Sequence, residues 1–265
     1  MNLADCNALI TGASGGIGRE FARQLASRTR MLVLVARRQE RLEQLRDELS
    51  AAHPGIEIQI RVTDLSDSNQ LQRLTDWISN EGVNIDLLIN NAGLGDLGSF
   101  ATGDPKRLEQ IVLVNINALT LLTHAILPGM IARNKGAILN VSSCAGFLPI
   151  AGFAVYAASK AYVTSFSEAL RAELRDTRIV VSALCPGPVH TEFTQVANRP
   201  RAEHFPAPEF VHVSPEHAAR SGLAAIEQDR PTAIPGLIMK LAMFVTRITP
   251  MPLLRLASGL WAKRT

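Results

Sequence analysis

Short, continuously apolar runs alternate with longer segments of helical periodicity along most of this 265-residue chain, and that alternation limits the possible folds more than any single motif. The runs fall at residues 8–11, 31–36, 56–62, 85–90, 137–142 and 179–184, with a shorter one at 232–234. Most are rich in Val, Ile, Leu and Ala without polar alternation, so strands built from them must be covered on both faces. The intervening helices supply that cover, and each strand–helix–strand crossover in one sheet is right-handed. The expected fold is α/β, a doubly wound parallel sheet of about seven strands with helices on both faces. A hydrophobic content of 47% suffices for one large core, and no repeat, low-complexity tract or linker interrupts the chain, so residues 1–265 are read as a single domain.

The formal net charge is only +3, and Lys and Arg are scattered among acids without interleaved aromatics. Nucleic acid is therefore not an expected partner. Three cysteines, Cys6, Cys144 and Cys185, lie in apolar surroundings and read as buried reduced thiols, which points to the cytoplasm. The six histidines show no ligand spacing, so no metal is expected, and His190 reads as a loop residue. No basic region followed by an apolar stretch marks a signal peptide at the amino terminus. The apolar stretch 234–261 is broken by Lys240, Arg247, Arg255 and prolines, so no transmembrane segment is expected.

Thr11-Gly12-Ala13-Ser14-Gly15-Gly16-Ile17-Gly18 follows the first strand and opens the first helix. Glycines allow a tight turn and close backbone approach, while the helix start offers free amides and a partial positive charge to a pyrophosphate. The spacing departs from G-x-G-x-x-G, and the missing Gly-Lys-Ser/Thr excludes a P-loop. The position still makes this a Rossmann-type first βα junction. The second strand ends Val35-Ala36-Arg37-Arg38, where an NAD-preferring site would place an acid to hold the ribose diol. Ala36 stands there, and Arg37 would meet a 2′-phosphate, which favours NADP over NAD; otherwise both arginines are solvated residues at a helix start.

Tyr156 and Lys160 are four residues apart, on one face of a helix. An ammonium beside a phenol favours the phenolate and lowers the tyrosine pKa towards the range of an acid or base catalyst. Many solvated helices carry such a pair, so its meaning depends on Ser143, which ends an apolar run upstream, and on the other motifs.

Together these residues resemble the short-chain dehydrogenase/reductase family, in its common single-domain subtype, over residues 11–191. The family's Thr-Gly-x-x-x-Gly-x-Gly is matched by Thr11, Gly12, Gly16 and Gly18, and its Asn-Asn-Ala-Gly by Asn90, Asn91, Ala92 and Gly93. The thirteen-residue interval to Tyr156 selects Ser143 over Ser142, and Asn115 matches the family asparagine. The resemblance implies a catalytic set of Asn115, Ser143, Tyr156 and Lys160. It implies cofactor contacts from Gly12, Ser14, Gly16, Ile17 and Gly18, from Arg37, from Asp64 and Leu65, and from Asn91, Ala92 and Gly93. Pro186, Gly187, Val189 and Thr191 would border the nicotinamide, with Tyr156 and Lys160 also touching the cofactor. The implied reaction interconverts a carbonyl and a secondary alcohol: the nicotinamide carries hydride, Tyr156 carries the proton, and Ser143 holds the substrate oxygen. Lys160 would hold the ribose hydroxyls, and Asn115 would interrupt its helix and hold a water linking Lys160 to solvent. A dinucleotide-sensing regulatory protein on the same fold, without turnover, is the alternative.

Residues 147–153, together with Phe193, Phe205 and Phe210, predict an apolar pocket for a lipid-like or steroid-like carbonyl or alcohol; core packing of the aromatics competes with that reading. Residues 190–213 read as a substrate lid. Residues 236–265 read as an amphipathic extension, with Leu237, Leu241, Phe244, Val245 and Ile248 near helical spacing and Lys240, Arg247, Arg255, Lys263 and Arg264 as its basic residues. It packs on the domain or a second subunit, covers the substrate mouth, or makes a weak membrane-surface contact. The resemblance also implies a homodimer or homotetramer paired through long helices such as the one bearing Tyr156.

Overall fold

The computed structural model describes residues 2–80, 83–198, 208–250 and 252–255. Seven parallel strands form one sheet: β1 (Asn7–Thr11), β2 (Met31–Ala36), β3 (Glu57–Val62), β4 (Leu87–Asn90), β5 (Gly136–Val141), β6 (Ile179–Leu184) and β7 (Thr232–Ala233). Their order is β3-β2-β1-β4-β5-β6-β7, so the winding reverses between β1 and β4, where Ile10 pairs with Ile89. A crevice opens at such a reversal, above the carboxyl ends of the strands.

The helices are α1 (Gly16–Ala26), α2 (Gln39–Ala52), α3 (Ser68–Asn80), α4 (Pro105–Val112), α5 (Leu119–Arg133), α6 (Ala154–Glu173), α7 (Glu192–Ala197), α8 (Pro215–Glu227) and α9 (Leu237–Ile248). Side chains alternate across the sheet and divide the apolar residues between two cores. Ala8 and Ile10 join one with Phe21 and Leu25 of α1, Leu42 and Leu45 of α2 and Leu223 of α8, whereas Leu9 joins the other with Leu71 of α3, Leu122 of α5 and Leu170 of α6. The central strands β1, β2, β4, β5 and β6 are buried throughout, as continuous apolar runs require. Edge strand β3 is half-buried instead, with Glu57, Gln59 and Arg61 interrupting its apolar residues.

Local signals set the helix ends. Ser214 caps α8 by accepting from the His217 amide at 3.2 Å, with Pro215 at the first turn, where its missing N–H costs nothing. Helix α4 runs through a π-helical turn at Leu113–Ala118 into α5, and the continuous Pro105–Arg133 helix is, by length and composition, long and apolar enough to cross a bilayer. The sequence reading passed over this stretch. Ile111, Leu122, Ile126 and Met130 bury its inner face in the second core, so it serves as a core helix.

Candidate active site

A cavity of about 520 Å³ lies above the β1/β4 reversal, within the usual size of a ligand site. One wall is the glycine loop. Gly12 sits at φ +67, and a Cβ on Gly18 would stand 2.3 Å from Gly12 O and 2.5 Å from Asn91 Nδ2, so neither position admits a side chain without backbone movement. Thr11 Oγ1 accepts from the amides of Asn91 and Ala92, both at 3.0 Å, while Asn91 Nδ2 donates to Thr11 O at 2.9 Å. These bonds tie the β4 loop to the glycine loop. Gly12, Ser14, Gly16 and Ile17 line the cavity, as do Asn91, Ala92 and Gly93, whereas Gly18 lies outside the lining and gives close packing. The start of α1 thus presents its free amides beside an open wall, an arrangement suited to a pyrophosphate.

Ala36, Arg37, Arg38, Asp64 and Leu65 line the far end. Arg37 is half-exposed, with its guanidinium 3.8 Å from Asp64 Oδ2. Arg38, which the sequence analysis left as a solvated residue, folds over the glycine loop, donating to Ser14 Oγ at 3.3 Å and to Glu192 Oε2 at 2.7 Å. Arg41 donates to Glu192 Oε1 at 2.6 Å. Hydrogen bonds from these two guanidiniums hold the Glu192 carboxyl down at about 2. No sequence signal placed Glu192 here, because α7 meets α2 only through the fold.

Tyr156, Lys160 and Ser143 all line the cavity, and Asn115 lies buried behind its wall. Tyr156 is buried, stacked on Phe153 at 4.2 Å between ring centres and tilted against Phe193 at 5.3 Å. Lys160, also buried, donates to Val141 O at 2.7 Å, and its Nζ stands 5.7 Å from the Tyr156 ring centre. Ser143 Oγ accepts from the Ala145 amide at 3.1 Å and hydrogen-bonds Tyr156. Its neighbour Ser142 donates to Lys160 O at 2.8 Å and pairs with Thr164 Oγ1 at 2.7 Å, so that hydroxyl is committed to the core. Asn115, in the π-helical turn, accepts from the Leu94 amide at 2.8 Å and donates to Leu94 O at 3.0 Å and Ser159 Oγ at 2.9 Å. Ser159 was not singled out from sequence, since a serine inside a helix carries no signal of its own.

The expected lowering of the tyrosine pKa is corrected by the structure. Burial pushes Tyr156 up to about 12, although the Ser143 hydrogen bond pulls the other way, and burial pulls Lys160 down to about 8. Relative to the ordinary value of 10.0, ionising the phenol is harder by about 3 kcal/mol. Desolvation is the largest influence here, and the phenol holds its proton at neutral pH.

Beside Tyr156 the wall turns apolar, with Leu97, Leu148, Ile150, Phe153, Phe193 and Val196. Met239 and Met243 of α9 also reach the cavity, and Met239 lies against Gly187, where an added Cβ would be 2.9 Å from its Cγ. Pro186, Gly187, Val189 and Thr191 line the same region. Phe210 is exposed and outside the lining; Phe205 and residues 199–207 of the expected lid lie outside the described residues, as do Lys263 and Arg264.

The profile of the short chain dehydrogenase family matches residues 6–202, which contain the glycine loop and all four central polar residues. The chain belongs to the short-chain dehydrogenase/reductase family. The chain is 37% identical over 190 residues, 71% of its own length and 75% of the relative's, to the NADP-dependent 3-hydroxy acid dehydrogenase of Escherichia coli strain K12. It is 31% identical over 224 residues, 83% of its length and 68% of the relative's, to the very-long-chain 3-oxoacyl-CoA reductase of Anas platyrhynchos. Among solved structures it is similar to a short-chain dehydrogenase from Sphingobium yanoikuyae in complex with NADPH, at 29% identity and a TM-score of 0.80, covering 93% of this chain and 97% of the other. The chain is an NAD(P)-dependent oxidoreductase acting on alcohol and carbonyl groups.

Proposed function

We propose that this chain uses NADP(H) to interconvert a carbonyl and a secondary alcohol on an apolar substrate, with Tyr156 carrying the proton. The observation that carries this reading is the meeting of Tyr156 and Ser143 with an apolar wall in one cavity that also holds the glycine loop, Arg37 and Arg38. The NADP-dependent relative and the NADPH-bound neighbour support the choice of nucleotide, and the very-long-chain acyl relative supports an apolar substrate.

The cavity suits a dinucleotide. Gly12, Ser14, Gly16 and Ile17 would hold the pyrophosphate; Arg37 and Arg38 the 2′-phosphate; Asp64 and Leu65 the adenine; and Asn91, Ala92, Gly93, Pro186, Gly187, Val189 and Thr191 the nicotinamide half. Gly18 acts behind them, by letting Gly12 and Asn91 approach. A bound nicotinamide supplies hydride for reduction and accepts it for oxidation. Tyr156 Oη gives its proton to the carbonyl oxygen, and the raised pKa keeps that proton in place until the oxygen gains charge. Ser143 Oγ donates to the same oxygen and stabilises the developing negative charge. Lys160 would hold the ribose hydroxyls, and its ammonium would stabilise the tyrosinate left when Tyr156 gives up its proton. Asn115 pins Leu94 and Ser159 around them, and its interrupted helix would hold a water between Lys160 and solvent.

A pH dependence follows. Lys160 is charged below about 8 and neutral above it, so its stabilisation of the tyrosinate left by proton transfer is present below that value and lost above it. Reductive kcat/KM falls as pH rises through about 8; initial rates from mildly acidic to strongly alkaline buffers check this, and a flat profile contradicts it.

For the substrate, each methylene buried against the apolar wall adds ~0.8 kcal/mol, about fourfold in kcat/KM. Bulky apolar ketones are expected to exceed small polar carbonyls by tenfold or more on the order of that increment per carbon. Comparable values across such a panel remove the apolar assignment.

Helix α9, whose inner edge covers the cavity through Met239 and Met243, leaves Leu237, Leu241, Phe244, Val245 and Ile248 exposed beside Lys240 and Arg247. We propose that this face rests on an anionic membrane surface, so that apolar substrate enters beside it. Leu241→Glu with Phe244→Glu is expected to reduce liposome co-sedimentation by about tenfold; no lipid binding by the wild type rejects the idea. On α6 the exposed small residues Ala158, Ala161 and Ser165 form one stripe, which supports a homodimer or homotetramer. Three buried free cysteines, all pushed up to about 11 or 12, fit a reducing cytoplasm.

A further inference from the structure

The turn after β6 and the turn before α8 meet at the cavity rim. Val189 bridges to Val213, the Val213 amide donates to Pro188 O at 3.0 Å, and the His190 amide donates to Val213 O at 3.3 Å. This places three potential ligands side by side. His190 Nε2 is 3.0 Å from Glu209 Oε1, His212 Nδ1 is 3.9 Å from Glu209 Oε2, and one ligand atom from each of the three residues lies within 4.8 Å of the others. The two imidazoles stack with ring centres 4.7 Å apart. Around a zinc ion with ligand bonds of ~2.0–2.1 Å, tetrahedral ligand atoms stand about 3.4 Å apart, a value the two measured distances bracket. A small side-chain adjustment therefore completes three corners of a tetrahedron.

We propose that His190, Glu209 and His212 form a binding site for a zinc-like divalent cation that ties these two turns together. Two neutral imidazoles and one carboxylate are the ligand types zinc takes in open three-ligand sites, where the fourth position goes to water. In the structure His212 Nδ1 is 3.2 Å from Pro208 O, and coordination exchanges that contact for the metal. In the sequence His190 and Glu209 are far apart, and only the fold brings His190 to the Glu209/His212 pair. His212 also lines the cavity, so the ion would stiffen the rim beside the substrate. The site stands independently of the oxidoreductase reading.

The test is calorimetric titration of the full-length protein with Zn²⁺, repeated on His190→Ala, His212→Ala and Glu209→Gln. One Zn²⁺ per chain is expected, with affinity lower by about tenfold or more in each His variant and unchanged in a His53→Ala control. Absent saturable binding in the wild type, or wild-type affinity in both His variants, overturns the proposal. Titration with Co²⁺ adds a second readout. Visible bands of nitrogen and oxygen ligation are expected, and an intense near-ultraviolet thiolate band would show a buried cysteine binding the metal instead, which also overturns it.

Discussion

Tyr156→Phe is expected to lower carbonyl-reducing turnover by about 10²–10⁴-fold, the range of one lost general acid. The substitution removes a single oxygen. Phe keeps the ring packed on Phe153 and Phe193, at 4.2 and 5.3 Å between centres, so folding and nucleotide binding are expected to persist. The hydroxyl that remains, on Ser143, can still position the substrate oxygen but holds no proton it can readily give up at neutral pH. The loss is therefore expected in kcat, with NADPH affinity within about twofold of the wild type by fluorescence titration. Full activity in the variant would mean that the proton comes from elsewhere.

The second large effect concerns the nucleotide. Arg37→Asp replaces a guanidinium with a carboxylate at the cavity end where Asp64 already lies 3.8 Å away. A lost hydrogen bond to a charged group is worth ~1.5–3 kcal/mol, so NADPH affinity is expected to fall about 10–100-fold from that loss, with repulsion adding to it. NADH, without the 2′-phosphate, is expected to change little. Titration of both nucleotides checks the ratio, and equal losses contradict the assignment. Arg38 offers an internal comparison: its guanidinium is engaged by Glu192 at 2.7 Å, so Arg38→Ala is expected to have the smaller effect.

Where a side chain meets its partner inside one motif, the sequence was enough to read it. Gly12 and Gly18 meet within the first βα junction, and the apolar runs alone predicted the sheet, because strands buried on both faces are mostly apolar. The pairing of Tyr156 with Lys160 followed from helical spacing, but its electrostatics did not. Spacing says that two groups are near; burial, which depends on β5, β6 and the loop carrying Phe153, decides that the phenol is raised to about 12 instead of lowered. Contacts between distant segments were equally hidden. Glu192 reaches Arg38 and Arg41 from a different part of the chain, Met239 reaches Gly187 across the sheet end, and His190 joins His212 through the Val189/Val213 bridge. Helix α9 was legible as amphipathic, although which of its faces turned inward was not: the inward edge is the methionines, and the larger apolar residues stay outside.

The central claim is that carbonyl reduction runs on NADPH in this cavity. Its most direct test measures NADPH consumed and alcohol formed when purified wild-type protein meets a panel of apolar ketones and aldehydes. The account predicts substrate-dependent NADPH oxidation with one alcohol produced per nucleotide. NADPH binding without turnover on any carbonyl or alcohol would contradict it and point to a dinucleotide sensor built on the same fold.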